Sequence, residues 1–333
     1  MNDRVGVAFL GAGTVAEMHG RGVGAVGNAE LVGAYDVDPA KARSLTAKFG
    51  GRVFESLEQL LAAPEVDAVH VLTPVKHHLS QATACLDRGK HVLLEKPIAH
   101  SHADIAQLKQ SAERAGRVCM PAHNYIYAPS LRRAKRLIEA GKLGQVASLW
   151  ILYNIFHPEE VARHYGGVLR EVCTHHAYSL LYLLGRPQRI TATASRVHRG
   201  RLTCEEQAMV VCEMETGAIA TLWASFAADD PTNDPWSVVY KVLGTNGGVN
   251  YSWNEAQFRD NGGPAWGMAC YEETFVAEID YFINRCVLAG DEPLSTLDDA
   301  ADALSILMAA ERFLAAPGRP EPVVYGKLPE SNA

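Results

Sequence analysis

The sequence predicts an α/β fold: a doubly wound parallel sheet in the N-terminal third, then an α+β domain built on a mostly antiparallel sheet. Three observations carry this. Apolar strands alternate with helices as far as Met120, which implies parallel pairing through right-handed crossovers. Beyond about His123 the pattern changes to long stretches in which polar and apolar residues alternate, as in Ala220-Thr221-Leu222-Trp223-Ala224-Ser225-Phe226. Such period-two patterning marks strands with one covered face. With 333 residues the chain is also too long for one ordinary core. Domains are therefore expected at 1–122 and 123–333.

Each element has a local reason. Val5–Leu10 is a short apolar run with strand character, and Ala16–Ala25 reads as a helix. Glu30–Tyr35 is the second strand. Pro39–Phe49 is helical, with proline in the first turn where its missing N–H costs nothing. Ser56 can cap a shorter helix reaching Ala62. Val66–Leu72 and His91–Leu94 are strands, separated by a helix from Leu79 to Arg88 that ends at Gly89. Ser101–Ala115 is a helix ending at Gly116, and Val118–Met120 a strand. A helix from Ser130 to Ala140 ends at Gly141. Strands follow at Val146–Phe156, Arg189–Val197, Glu206–Glu213, Ala218–Phe226 and Trp236–Leu243, interrupted by a helix over Glu171–Leu184 that ends at Gly185. Helices over Glu272–Ala289 and Leu297–Ala315 close the pattern.

Composition bounds the function. Hydrophobic residues make up 48% and charged residues 21%, a globular balance. The formal net charge of -7 argues against nucleic acid or an acidic membrane surface as partner, since both call for a basic face. Apolar runs are short and broken, so no transmembrane helix is expected. Met1-Asn2-Asp3-Arg4 leads straight into a glycine-rich strand, and no secretory signal is expected. Seven cysteines without a Cys-x-x-Cys pair fit reduced thiols and a cytoplasmic setting better than a disulfide framework.

Gly11-Ala12-Gly13-Thr14-Val15-Ala16 follows the first strand and opens a helix. This is the G-x-G-x-x-A dinucleotide fingerprint: Gly11 for the tight turn, Gly13 for close approach of a diphosphate, and Ala16 for helix–strand packing. The helix N-terminus adds N–H groups and partial positive charge. Glycines in such a turn also occur for structure alone, but Asp36 lies just past the second strand, where an acidic residue accepts from an adenosine ribose. Val37 and Asp38 follow it, with no adjacent cation for a 2′-phosphate, which favours NAD over NADP. Capping of the next helix is the competing role for Asp36, although Asp38 is better placed for it. Thr73-Pro74 and Glu95-Lys96-Pro97 end two further strands on the same sheet edge, where open parallel sheets bind ligands.

At these residues the sequence resembles the glucose–fructose oxidoreductase / inositol dehydrogenase (Gfo/Idh/MocA) family. The resemblance rests on GAGTVA, on Thr73-Pro74 with His78 beyond, on Gly89-Lys90-His91-Val92-Leu93-Leu94-Glu95-Lys96-Pro97-Ile98-Ala99, and on the stretch from Gly166 to Gly185. It implies a Rossmann domain and a second domain with a large open sheet that often mediates homodimers or homotetramers. It also implies NAD(P)-dependent oxidation or reduction of sugars and cyclitols. Thr73, Pro74, His78, Glu95, Lys96 and Pro97 are then expected beside the cofactor, with Pro97 in a cis bond that aims Lys96. Lys96 and His175 match the family's Lys and His. The family's Asp four residues before that His is Glu171, its Gly is Cys173, and its Asp three residues after is Tyr178. The Asn after Thr-Pro is Val75, and a frequent Arg is Ile126.

Alcohol oxidation removes a hydride from carbon and a proton from oxygen. Lys96 offers a compact charge for the oxygen. His175 suits proton exchange near neutrality. Glu171, four residues earlier, shares its helix face and can orient it; a solvated Glu–His pair is the bland reading. Tyr178 lies on much the same face. His176 points about 100° away and is the weaker substrate contact. Tyr125 and Tyr127 either border substrate or fill the core. Glu171 and His175 have no evident third partner for a metal, so none is expected. Glu95 either pairs with Lys96 or faces the backbone. Two further readings stay open: a redox-neutral sugar-modifying enzyme that oxidises transiently with bound NAD, and a non-catalytic NAD- or sugar-binding protein.

Overall fold

The computed structural model describes residues 4–163, 165–198, 202–229, 237–252 and 268–326. The chain forms two compact units. Of the described residues, one unit holds those up to Ala128 together with Glu272–Ala301, the other those from Pro129 to Tyr271 together with Asp302–Gly326. The first unit thus takes in a return segment, Glu272–Ala301, that the sequence pattern assigns to the second domain.

In the first unit six parallel strands, β1 (Val5–Leu10), β2 (Ala29–Tyr35), β3 (Arg52–Val53), β4 (Ala68–Val71), β5 (His91–Leu94) and β6 (Cys119–Pro121), lie in the order β3-β2-β1-β4-β5-β6. The order reverses at β1, which makes the crevice between β1 and β4 the switch point where doubly wound sheets take ligands. β1 and β4 are buried throughout, as apolar runs covered on both faces require. The crossovers are α1 (Thr14–Ala25), α2 (Pro39–Phe49), α3 (Leu57–Ala62), α4 (His78–Asp87) and α5 (His102–Ala115). Asp38 caps α2 and Ser56 caps α3 through their side-chain oxygens, as their positions lead one to expect.

The second unit opens with α6 (Pro129–Glu139) and is built on strands β7 (Val146–Asn154), β8 (Pro187–Ser195), β9 (Gln207–Met214), β10 (Ile219–Ser225), β11 (Ser237–Gly244), β12 (Gly248–Ser252) and β13 (Glu321–Pro322). Their order is β12-β11-β7-β10-β9-β8-β13, antiparallel except for the β7–β10 pair. Trp236, the predicted start of β11, lies outside the described residues. One face of the sheet is covered: Leu149, Ile151, Ala220, Leu222, Val210 and Val242 are buried. α7 (Glu159–Ala162), α8 (Val168–Glu171) and α9 (Cys173–Leu184) belong to this unit.

Two predicted helices differ. The span Glu171–Leu184 is not continuous: Val172 interrupts it at φ -105°, and the His175 N–H bonds three residues back to Val172 O at 2.9 Å. The span Glu272–Ala289 becomes α10 (Met268–Asp280) followed by a π-helical stretch, Tyr281–Val287. α11 (Leu297–Ala315) is as long as its apolar pattern. Among the described residues no helix is long and apolar enough to cross a membrane, and the described cysteines are free.

Candidate functional site

At the carboxyl edge of the first sheet, β1 stops at Gly11, whose φ of 100° suits glycine alone. A Cβ there would lie 2.8 Å from Leu72 O. Gly13 differs. Its φ is negative, and a Cβ built on it meets no protein atom within 4 Å. No side chain caps α1 at Gly13; the Ala16 N–H turns back to Gly13 O at 3.1 Å, and no side chain occupies the N-terminus of the helix. A diphosphate fits that cradle. Ala16 is fully buried against the sheet. These facts separate the two glycines. Gly11→Ala should lower the thermal midpoint, whereas Gly13→Val should leave it within about 2 °C and abolish measurable NAD binding, because only the ligand meets the new side chain. Differential scanning fluorimetry with NAD titration reads both.

Asp36 stands at the end of β2. Its Oδ2 accepts from Ala12 N–H at 2.8 Å and its Oδ1 from Asp38 N–H at 2.8 Å. Asp38, not Asp36, caps α2. The carboxylate is therefore fastened to the glycine turn and held at the edge where a ribose would lie.

Beyond β4, His78 is buried and spans two strand ends. Its Nε2 lies 2.7 Å from Thr73 O and its Nδ1 3.0 Å from Pro97 O. Burial holds the imidazole below its ordinary pKa, against the opposing pull of these carbonyls. The sequence reading places His78 beside the cofactor. There both ring nitrogens meet backbone oxygens, and the ring ties Thr73-Pro74 to the Lys96–Pro97 peptide, which is cis. Thr73 Oγ1 donates to Gln81.

The choice left open for Glu95 resolves toward the backbone. Oε2 accepts from Lys96 N–H at 2.8 Å, and Oε1 lies 3.3 Å from His19 Nε2. Glu95 is buried and Lys96 is half-buried. Tyr125 is buried in the short turn Asn124–Tyr127 that follows β6, with Tyr127 against Met120 and Tyr281; both are core aromatics.

In the second unit α9 carries His175, whose Nδ1 lies 2.6 Å from the Tyr178 hydroxyl, with the two rings edge to face. Both residues are buried, and Glu171, at the end of α8, is partly exposed. Tyr178 thus fills with a phenol the position where the resemblance calls for a carboxylate. His176 is corrected. It is fully buried, neither ring nitrogen has a hydrogen-bond partner among the described residues, and desolvation pushes its pKa down to about 3. It is a neutral core histidine near Tyr153, with no accessible surface to offer a substrate. Among the described residues no cluster of three or more His, Cys, Asp or Glu is placed to hold a metal.

Sequence reasoning passed over three polar residues that gather behind Glu95: His19 on α1, His70 on β4 and Glu278 on α10. The available signal was a lone polar residue in the apolar strand β4, which ordinarily marks nothing beyond a packed core; His19 and Glu278 sit in helices among other charged residues and stand out from neither.

Comparison with known proteins extends over both units. The model of an oxidoreductase family with an NAD-binding Rossmann fold, GFO/IDH/MocA, matches residues 5–123, and that of the GFO/IDH/MocA C-terminal domain matches residues 131–250. The chain is 30% identical over 231 residues to a 4-carboxy-2-hydroxymuconate-6-semialdehyde dehydrogenase of Sphingobium sp., covering 68% of this chain and 73% of that enzyme. It is 25% identical over 333 residues to scyllo-inositol 2-dehydrogenase (NAD(+)) of Bacillus subtilis, covering 93% and 94%. The crystal structure of GenD2 from gentamicin A biosynthesis, in complex with NAD, matches with a TM-score of 0.84 at 27% identity, over 96% of this chain and 97% of that one. The first family match runs through the glycine turn and the Lys96 strand end, the second through His175, and together they span most of the sequence: the chain belongs to the Gfo/Idh/MocA family of NAD-binding oxidoreductases.

Proposed function

We propose that the protein transfers a hydride between NAD and a secondary alcohol or ketone of a sugar, sugar derivative or cyclitol. The observation that carries this reading is the placing of Lys96 at the same sheet edge as the glycine turn, its backbone pinned by Glu95. NAD, when bound, supplies the hydride acceptor or donor. The Lys96 ammonium stabilises the alkoxide that forms as the hydroxyl is deprotonated. His175 exchanges that proton. With its Nδ1–H donating to the Tyr178 oxygen, Nε2 keeps the lone pair that a base requires. Tyr178 and Glu171 orient the ring. Asp36, followed by Val37 and Asp38, receives a ribose hydroxyl and repels a 2′-phosphate, so NAD is the cofactor in preference to NADP.

Sugars and cyclitols enter this reading through the relatives' names. The second unit is the substrate-binding domain in this scheme. Its sheet also leaves apolar side chains exposed on one face, Trp150, Leu152 and Ile219 among them, and we assign that face to a homodimer or homotetramer. The test is NAD reduction, followed by nicotinamide absorbance, over a panel of sugars and cyclitols with NADP alongside. Turnover of a panel member with NAD supports the reading. Substrate conversion with no net absorbance change would replace it with redox-neutral chemistry, and absence of any conversion would leave a binding protein.

A further inference from the structure

Behind the Lys96 strand end the first unit buries Glu95, His19, His70 and Glu278, the last three with no exposed surface. Lys96 N–H donates to Glu95 Oε2 at 2.8 Å. Glu95 Oε1 lies 3.3 Å from His19 Nε2, and His19 Nδ1 lies 3.1 Å from His70 Nδ1. Beyond that point the partners stop. His70 Nε2 and both carboxyl oxygens of Glu278 are buried without a hydrogen-bond partner among the described residues. Glu278 nonetheless belongs to the group. On its helix, Phe275 meets the His19 ring edge to face at 5.3 Å, and Phe282, beyond it in the π-helical stretch, meets His70 at 5.8 Å. Glu278 lies between those two residues on the same face of the helix, and its charge couples to that of Glu95. π-helical insertions of this kind recur at functional sites.

Hydrogen-bond polarity fixes the tautomers. A carboxylate only accepts, so His19 Nε2 carries the hydrogen toward Glu95. With that as its one ring hydrogen, Nδ1 is bare and His70 Nδ1 donates to it. His70 Nε2 is left bare. Two carboxylates this deep cannot both keep their charge. Glu95 has two N–H donors on it and Glu278 has none, which decides between them. Burial, with the charge of Glu95 adding to it, holds the Glu278 carboxyl well above its ordinary range, and burial holds His70 well below its own. The Tyr127 phenol is the other titratable neighbour of Glu278, and it too is held well above its range.

We propose that Glu95 and Glu278 form an extended carboxyl pair holding one proton between them, parked on Glu278, with His19 and His70 polarised so that Glu95 stays the carboxylate that pins Lys96. His19 and Glu278 are then positioning residues for Lys96, acting through Glu95; this consequence for turnover rests on the proposed function, while the protonation pattern does not.

Nuclear magnetic resonance of the full chain, with labelled glutamate carboxyl carbons and histidine ring nitrogens, tests the pattern directly. The Glu278 carboxyl should resonate as protonated at neutral pH. His70 should show Nδ1–H with a bare Nε2 and should titrate well below the ordinary histidine range. In Glu95→Gln the titration midpoint of Glu278 should fall by about one unit or more, because a nearby like charge is gone. An ionised Glu278 at neutral pH, or a His70 carrying its hydrogen on Nε2, overturns the proposal. The positioning role has its own readout. His19→Leu should lower kcat on the order of a hundredfold, the cost of misplacing a reacting group by about 1 Å, with KM for NAD within about twofold. His19→Gln, which keeps an N–H toward Glu95, should recover most of it. Equal losses in the two variants would reduce His19 to packing and overturn the role. A wild-type protein without turnover on any substrate would overturn the dehydrogenase reading and leave the resonance assignments standing.

Discussion

Lys96→Ala lowers kcat by about a hundred- to a thousandfold while NAD binds as it does to the unaltered protein. The size follows from removing one preorganised charge from the oxygen on which negative charge develops. Selectivity for the chemical step follows from where the residues sit. In the proposed scheme the diphosphate and ribose are taken by Gly11, Gly13 and Asp36 at the ends of β1 and β2, while Lys96 stands at the end of β5. The Lys96 backbone is held by Glu95 whatever its side chain is, so the strand end survives the change. Lys96→Arg should not restore the rate, because a planar guanidinium fork cannot take the place of a compact ammonium. Steady-state turnover, measured beside NAD binding by fluorescence, checks the claim; an alanine variant as fast as the parent protein removes Lys96 from the mechanism.

Stability against unfolding falls steeply between about pH 6.5 and 4.5. His123 and His176 are buried with their pKa pushed down to about 3, and burial also holds His70 well below its ordinary value. Each of these folded pKa values lies under the unfolded one. Below about pH 6.5 the unfolded chain therefore binds protons that the folded chain refuses, and falling pH favours unfolding. Glu278 acts in the opposite sense. Its raised folded pKa keeps the proton on in the fold, while the unfolded carboxyl is ionised above about pH 4.5, so falling pH favours the fold through that group. His91, pushed down to about 4 by burial, acts with His70, His123 and His176, so four imidazoles against one carboxyl leave three net protons, a slope of about 4 kcal/mol per pH unit. Across the window that is roughly 7 kcal/mol, comparable with the whole stability of many domains. Urea midpoints taken in steps from neutral pH downward measure it. His176→Leu should flatten the slope by about 1.4 kcal/mol per unit; a midpoint indifferent to pH over this window contradicts the account.

The sheet edge was largely legible because its signals are local. Gly11, Gly13 and Asp36 sit at fixed offsets from two apolar strands, and Asp38 declares itself as a cap by preceding Pro39. The interruption at Val172 was not legible, since Glu171 to Leu184 keeps an unbroken helical composition and only the hydrogen-bond register shows the joint. The helical wheel turned His176 away from His175, but it could not say whether the side so reached was solvent or core. The return of Glu272–Ala301 to the first unit left no trace either, because an amphipathic helix shows which face it buries and not against what. The cluster behind Glu95 is the extreme case. His19 is separated by 51 positions from His70 and by 76 from Glu95, and nothing in the sequence around any of the three points to the others.

Asp36 does double duty, and this limits how the chain can be re-engineered. The carboxylate proposed to select the cofactor is also a bracket that braces the phosphate-binding loop through Ala12. Trading it for a smaller or basic residue, the obvious route to an NADP-preferring variant, would slacken that loop at the same stroke. A switch of nucleotide preference in this scaffold therefore has to bring a replacement brace for Ala12 along with the new cation.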